Sequence, residues 1–271
     1  MGSLPSFCIL SSVFCILLLF VTEVFDWALW VLVINVSVCP CGCREPGRRM
    51  NGMDKNSGPC AVEVIMFDFG GVIAEEGFRN GLRAIASKHG LNADAFVKEG
   101  FDLVHSTGYV TGRSDEKAYW QALREKTGIQ DDDESLRKDI LLHFVMRPWI
   151  IRVVKKLKER GQRVVILSDQ TNWLDDLDAT HHFFKLFDQV FNSFHSGKTK
   201  RDPSAFDDVL NAVGVEAGEV LFVDDHPGNI ERAREKGLHT ILYETAEGFI
   251  EELKKFCPDL YSGAGSTLTD V

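Results

Sequence analysis

From residue 61 onward the chain alternates short apolar, β-branched runs with longer stretches of helical periodicity, and this alternation constrains its fold most strongly. The runs are 61–67, 163–167, 190–194, 220–223 and 240–243, each of strand length. Helical patterns at 149–160, 203–213, 229–236 and 246–256 separate them, and Gly161, Gly214 and Gly237 stand where three of those helices would stop. Strands alternating with helices predict an α/β fold built on a doubly wound, parallel, Rossmann-like sheet. Between the first two runs, residues 75–148 carry helical patterning without a convincing strand, and an insert that long reads as a small helical domain. The expected layout is a core of 61–74 and 149–257, the insert at 75–148 and a tail at 258–271. Within the insert, Asp131, Asp132, Asp133 and Glu134 read as a solvated helix start favoured by the helix dipole. Trp120 and Trp149 read as core residues.

The first 60 residues differ from the rest. Two apolar runs, 7–22 and 27–38, are each short of the roughly 20 residues that span a bilayer, and Glu23 and Asp26 interrupt them. No Lys or Arg precedes Arg44, so the basic start of a signal peptide is missing. Two readings follow. Either 7–38 is a membrane anchor, which Arg44, Arg48 and Arg49 would orient with the body in the cytoplasm, or 1–49 stands outside the working protein and Met50 or Met53 begins it. Of the 7 cysteines, only Cys257 falls beyond residue 60, so the body reads as a reduced, intracellular fold without an internal disulfide. Acidic residues outnumber basic ones 40 to 30, for a net charge of −10, which argues against a nucleic-acid surface.

In a parallel sheet, ligands bind beyond the carboxyl ends of the strands. The first run ends in Asp68, followed by Phe69, Gly70 and Gly71. The second ends in Ser168, and the segment after the third carries Lys198 and Lys200 ahead of a helix opening at Pro203. The fourth ends in Asp224 and Asp225, adjacent carboxylates that repel each other and favour a cation. Each signal alone fits a cap or a solvated loop residue; the ordered set of carboxylate, hydroxyl, ammonium and paired carboxylates carries the argument.

That set resembles the haloacid dehalogenase-like superfamily of hydrolases. The stretch VIMFDFGGV at 64–72 is similar to its first motif, Ser168 to its second, Lys200 to its third and Asp224 with Asp225 to its fourth. The helical insert resembles the family's first type of cap, and the paired aspartates resemble the subgroup holding sugar-phosphate phosphatases. The resemblance implies a Mg²⁺-dependent phosphomonoester hydrolase that acts on a small phosphorylated metabolite through an aspartyl-phosphate. It implies Asp68 as nucleophile, Asp68, the Gly70 carbonyl, Asp224 and Asp225 as metal ligands, and Ser168, Lys200 and the N–H groups of Phe69 and Gly70 as the phosphate cradle. Lys200 is chosen over Lys198 because its spacing from Gly197 matches the family. Asp169, Gln170, Thr171 and Asn172 either touch substrate or cap the helix opening at Trp173.

Two departures stand out. Arg201 follows Lys200 where the family commonly has proline, and Gly70 stands where its phosphatases carry a second aspartate that protonates the leaving oxygen. Without it the chemistry would favour leaving groups that need little protonation, such as a sugar 1-phosphate or an acyl phosphate. Glu75 and Glu76 could substitute, although solvated hinge residues are the simpler description. The competing readings are a metal-independent dehalogenase-type hydrolase, which also lacks the second aspartate, and a catalytically impaired binding protein.

Overall fold

Val64–Phe67 (β1) buries every side chain, and a strand apolar on both faces belongs inside a sheet covered on both sides. In the computed structural model, which describes residues 60–261, β1 is the middle of a five-stranded parallel sheet of order β3-β2-β1-β4-β5. Its neighbours are Arg163–Ser168 (β2), Gln189–Asn192 (β3), Val220–Asp224 (β4) and His239–Leu242 (β5). Alternate side chains feed two cores. Val64, Met66, Val165 and Phe222 join the core of α8 (Ser204–Val213) and α9 (Pro227–Glu235) through Phe206, Val209, Ile230 and Ala233. Ile65, Phe67, Ile166 and Val223 join the core of α5 (Pro148–Glu159) and α10 (Ala246–Phe256) through Val153, Leu157, Phe249 and Leu253. Each such side chain, fully buried, is worth about 1.5–3 kcal/mol over its exposed state. Helices therefore cover both faces, and the α/β reading of the sequence holds. The apolar runs at 7–38 and residues 262–271 of the expected tail lie outside the described residues.

The insert after β1 is helical throughout: α1 (Gly77–Lys88), α2 (Ala93–Ser106), α3 (Glu116–Thr127) and α4 (Asp133–Leu141). α1 packs on α2 and α4, and α2 on α3. Asp132 caps α4 by accepting the Ser135 N–H at 2.8 Å, and Asp133 and Glu134 fill its first turn, as the dipole favours. Trp120 and Trp149 are both buried. The two linkers joining insert to sheet are hydrogen-bonded to each other: the Glu75 N–H donates to the Val145 carbonyl at 2.8 Å and the Arg147 N–H to that of Ile73 at 2.9 Å.

Two expectations need correction. The third strand stops at Asn192, and Ser193–Ser196 (α7) turns as a helix. The Asn192 side chain caps this turn by accepting the Phe194 N–H at 3.4 Å, and the Ser193 hydroxyl donates to the Val110 carbonyl of the insert at 2.7 Å. Cys60 and Cys257 form a disulfide, their Cα atoms 4.1 Å apart, so the body is internally stapled. Counting cysteines placed Cys60 with the N-terminal group; the fold returns the end of α10 to the start of the body, where the Ala61 N–H donates to the Phe256 carbonyl at 2.7 Å. The cytoplasmic placement loses the support it drew from a reduced body. Among the described residues, no helix is long and apolar enough to cross a membrane.

Candidate active site

Register places the site. Phe67 of β1 is level with Ile166 of β2 and Val223 of β4, so Asp68, Ser168 and Asp224 emerge together at the carboxyl edge of the sheet. Lys200 arrives from the loop ahead of α8. Its N–H donates to both Asp169 carboxylate oxygens at 2.8 and 3.1 Å, and its carbonyl accepts from Arg232 Nε at 2.7 Å. So anchored, the side chain is 1% exposed, with Nζ 2.9 Å from Asp68 Oδ1 and 2.7 Å from Asp224 Oδ2. Lys198, by contrast, pairs with Asp208, so the fold brings Lys200 and not Lys198 to the carboxylates.

Asp224 is fully buried and satisfied from below: Asn229 Nδ2 donates to its two oxygens at 3.1 and 3.0 Å, and the His226 N–H at 2.7 Å. Asn229 is itself oriented by Arg232 Nη2 at 2.6 Å. Asp225 leans over Gly71, where a Cβ would lie 2.1 Å from its Oδ2; the left-handed φ of +80° at Gly71 also favours glycine. Carboxylate oxygens of Asp68, Asp224 and Asp225 all lie within 4.8 Å of one another. Burial raises the Asp68 pKa well above its usual range; Lys200 opposes that shift while Asp224 and Asp225 add to it. Asp225 is raised by burial and then by Asp224. Burial works against the charge of Lys200, but Asp224, Asp68 and Asp169 outweigh it and hold its pKa above the ordinary lysine value. Three crowded carboxylates thus share one ammonium. A hard, oxygen-seeking dication fits this donor set, since it would compensate the two charges Lys200 leaves.

The Ser168 hydroxyl is buried without a hydrogen-bond partner and borders the cleft above the carboxylates, so it is free to donate to a bound anion. The cleft, of about 660 Å³, is also bordered by Asp68, Gly70, Lys200 and Asp225 and is overhung by Phe78 and Phe101 of the insert. Phe69 stands apart from it: its N–H donates to Asp68 Oδ1 at 2.7 Å and its ring stacks on Phe183 with centroids 5.0 Å apart. Of the segment after Ser168, Asp169 holds the lysine loop, Gln170 borders the cleft, Thr171 Oγ1 accepts the Trp173 N–H at 3.3 Å and Asn172 accepts from the Tyr109 hydroxyl at 2.6 Å. Sequence reasoning noticed Asn229 one turn into the helix after the paired aspartates but gave it no role, and it passed over Arg232. Their spacing of three on the helix after the paired aspartates puts them on one face, which was the available signal.

A family model described as haloacid dehalogenase-like hydrolase matches residues 62–237. The chain is 28% identical over 150 residues to bifunctional epoxide hydrolase 2 of Rattus norvegicus, a match covering 53% of this chain and only 26% of that protein. The chain therefore spans about a quarter of that relative. It is 24% identical over 208 residues to D-ribitol-5-phosphate phosphatase of Bacteroides thetaiotaomicron, covering 71% of this chain and 97% of the relative. A HAD family enzyme from Bacteroides thetaiotaomicron, crystallised with magnesium and inorganic phosphate, superposes with a TM-score of 0.56 at 18% identity, over 69% of this chain and 96% of that one. At that identity the likeness speaks to fold.

Proposed function

The chain belongs to the haloacid dehalogenase-like hydrolase family, and on that footing we propose that it is a Mg²⁺-dependent phosphatase of a small phosphorylated metabolite, working through an aspartyl-phosphate on Asp68. The observation that carries this reading is the cluster of three carboxylates within 4.8 Å around one buried lysine. A dehalogenase needs one carboxylate and no cation, and a cluster of three would be costly for it to keep in a buried site. The relative named as a D-ribitol-5-phosphate phosphatase points the same way.

In this reading Asp68, Asp224, Asp225 and the Gly70 carbonyl hold the ion. When bound, it supplies the positive charge that lets an anionic nucleophile approach an anionic phosphate. The Asp68 carboxylate attacks phosphorus and the bond to the leaving oxygen breaks; water then hydrolyses the aspartyl-phosphate. Ser168 donates its unpartnered hydroxyl to a phosphoryl oxygen, and Lys200 offsets charge on Asp68 and on the phosphoryl group. Asp169, Asn229 and Arg232 keep Lys200 and Asp224 in place. The helical insert at 75–148 acts as the cap over the phosphate, with its Phe78 and Phe101 facing the remainder of the substrate. A phosphate-release screen over a sugar-phosphate panel tests the proposal. Release should require Mg²⁺, stop in EDTA and be lost in Asp68→Asn. Metal-independent halide release from 2-haloacids, with no phosphate released from any compound, would replace it with the dehalogenase reading.

A further inference from the structure

Gly70 stands where the expected proton donor would be, and the structure shows what borders the space left at that position. A Cβ built on Gly70 would lie 3.4 Å from Gln170 Nε2 and 3.8 Å from Glu76 Oε2. Glu76 thus reaches from the first linker of the insert to the edge of the space a side chain at position 70 would enter. Three further observations single it out. It borders the same cleft as Asp68, Ser168 and Lys200. Its Oε2 is sealed from solvent and has no hydrogen-bond partner, a costly state for a carboxyl oxygen unless a ligand completes it. It occupies the N-cap of α1, yet its side chain makes no capping hydrogen bond, so the helix does not use it. The adjacent carboxylate behaves differently. Glu75 is exposed and pairs with Arg147 through two hydrogen bonds at 3.0 and 2.9 Å, which lower its pKa. One residue of the pair fastens the linker, and the other borders the cleft.

Resting on the phosphatase reading of this site, we propose that Glu76 is its acid–base residue and that the substrate is accordingly an ordinary alkyl phosphate. As Asp68 forms its bond to phosphorus and the bond to the leaving oxygen breaks, the Glu76 carboxyl gives its proton to that oxygen and the alcohol departs. The Glu76 carboxylate then takes a proton from water as the water oxygen bonds to phosphorus. The electron pair of the broken phosphorus–oxygen bond returns to Asp68, inorganic phosphate leaves and Glu76 is again protonated. Burial raises the Glu76 pKa from 4.5 to about 7; Asp225 adds to the shift, Arg79 and Lys200 oppose it, and Asp224 adds a smaller part. Burial, the largest of these influences, favours the form that carries a proton for the leaving oxygen. A good leaving group is then unnecessary, which removes the bias toward sugar 1-phosphates and acyl phosphates that Gly70 alone implies.

The test is Glu76→Gln, which preserves shape, compared on an alkyl phosphate (ribitol 5-phosphate) and an aryl phosphate (p-nitrophenyl phosphate) with Mg²⁺. On the alkyl phosphate, kcat/KM should fall by about 10²–10⁴-fold. On the aryl phosphate, whose leaving group needs no proton, the variant should release one equivalent of nitrophenol in a burst and then stall as phospho-enzyme. Adding Gly70→Asp to Glu76→Gln should restore alkyl turnover, since a Cβ at 70 meets only ordinary contacts; recovery also shows that the variant folds. Equal losses on both substrates without a burst, or alkyl turnover within twofold of wild type, would overturn the role of Glu76. A wild-type enzyme that releases phosphate from neither compound would instead sink the phosphatase reading itself.

Discussion

Replacing Lys200 by methionine keeps the length of the side chain and removes the one charge that faces both Asp68 and Asp224. The lysine side chain is 1% exposed, and those of Asp68 and Asp224 are 12% and 0% exposed. Removing one partner of a buried pair costs about 3–5 kcal/mol, because the remaining charge is buried without compensation. Here two carboxylates are stranded, and proton uptake by one of them limits the loss to that same range. For a body of this size each kcal/mol lowers Tm by about 2–4 °C, so the expected drop is roughly 6–20 °C. The assay is urea unfolding and a thermal melt in EDTA, so that no divalent ion substitutes for the ammonium. A second variant sharpens it. Asp68→Asn in the Lys200→Met background removes one stranded charge, and the double variant should be more stable than the sum of the single losses predicts, by about 0.5–3 kcal/mol. A Lys200→Met loss under about 1 kcal/mol, or strict additivity in the cycle, would refute the reasoning that the three groups form one electrostatic unit.

Two further outcomes follow from the same geometry. Gly71→Ala forces a Cβ into Asp225 and a side chain onto a left-handed backbone, so it should weaken Mg²⁺ binding measured by calorimetry and cost about 1–2 kcal/mol of stability; unchanged affinity would contradict this. His105 has its pKa lowered from 6.5 to about 4, first by burial and then by Arg201. Between those values the unfolded chain binds the extra proton and the folded one does not, so stability should fall as pH drops through that window; His105→Asn should flatten this limb of the Tm–pH curve, and an unaltered slope would remove His105 from the account.

The sheet was legible in the sequence because strands buried on both faces leave unbroken apolar runs, and because each such run here ends in a polar residue that the register brings to one edge. What escaped depended on contacts between distant segments. Nothing in the sequence near Cys60 marks Cys257 as its partner; only the closure of the last helix on the first residues of the body does so. The anchoring of Lys200 by Asp169 spans 31 residues and is hidden by a side chain that reads equally well as a helix cap. Glu75 and Glu76 are chemically identical and adjacent, so composition cannot separate them. The helix start after Glu76 turns one toward Arg147 at the surface and the other into the cleft. Gly70 was correctly read as a missing side chain, but the volume left open there, and the carboxyl that borders it, belong to tertiary structure.

The most direct test of the central claim is to trap the phosphoryl group on the chain. Enzyme mixed with p-nitrophenyl phosphate and Mg²⁺, quenched in acid and reduced with borohydride, should yield homoserine at position 68 by peptide mass spectrometry, and none when EDTA is present. Steady turnover with position 68 unmodified, or the same adduct formed at full yield without a divalent ion, would contradict it.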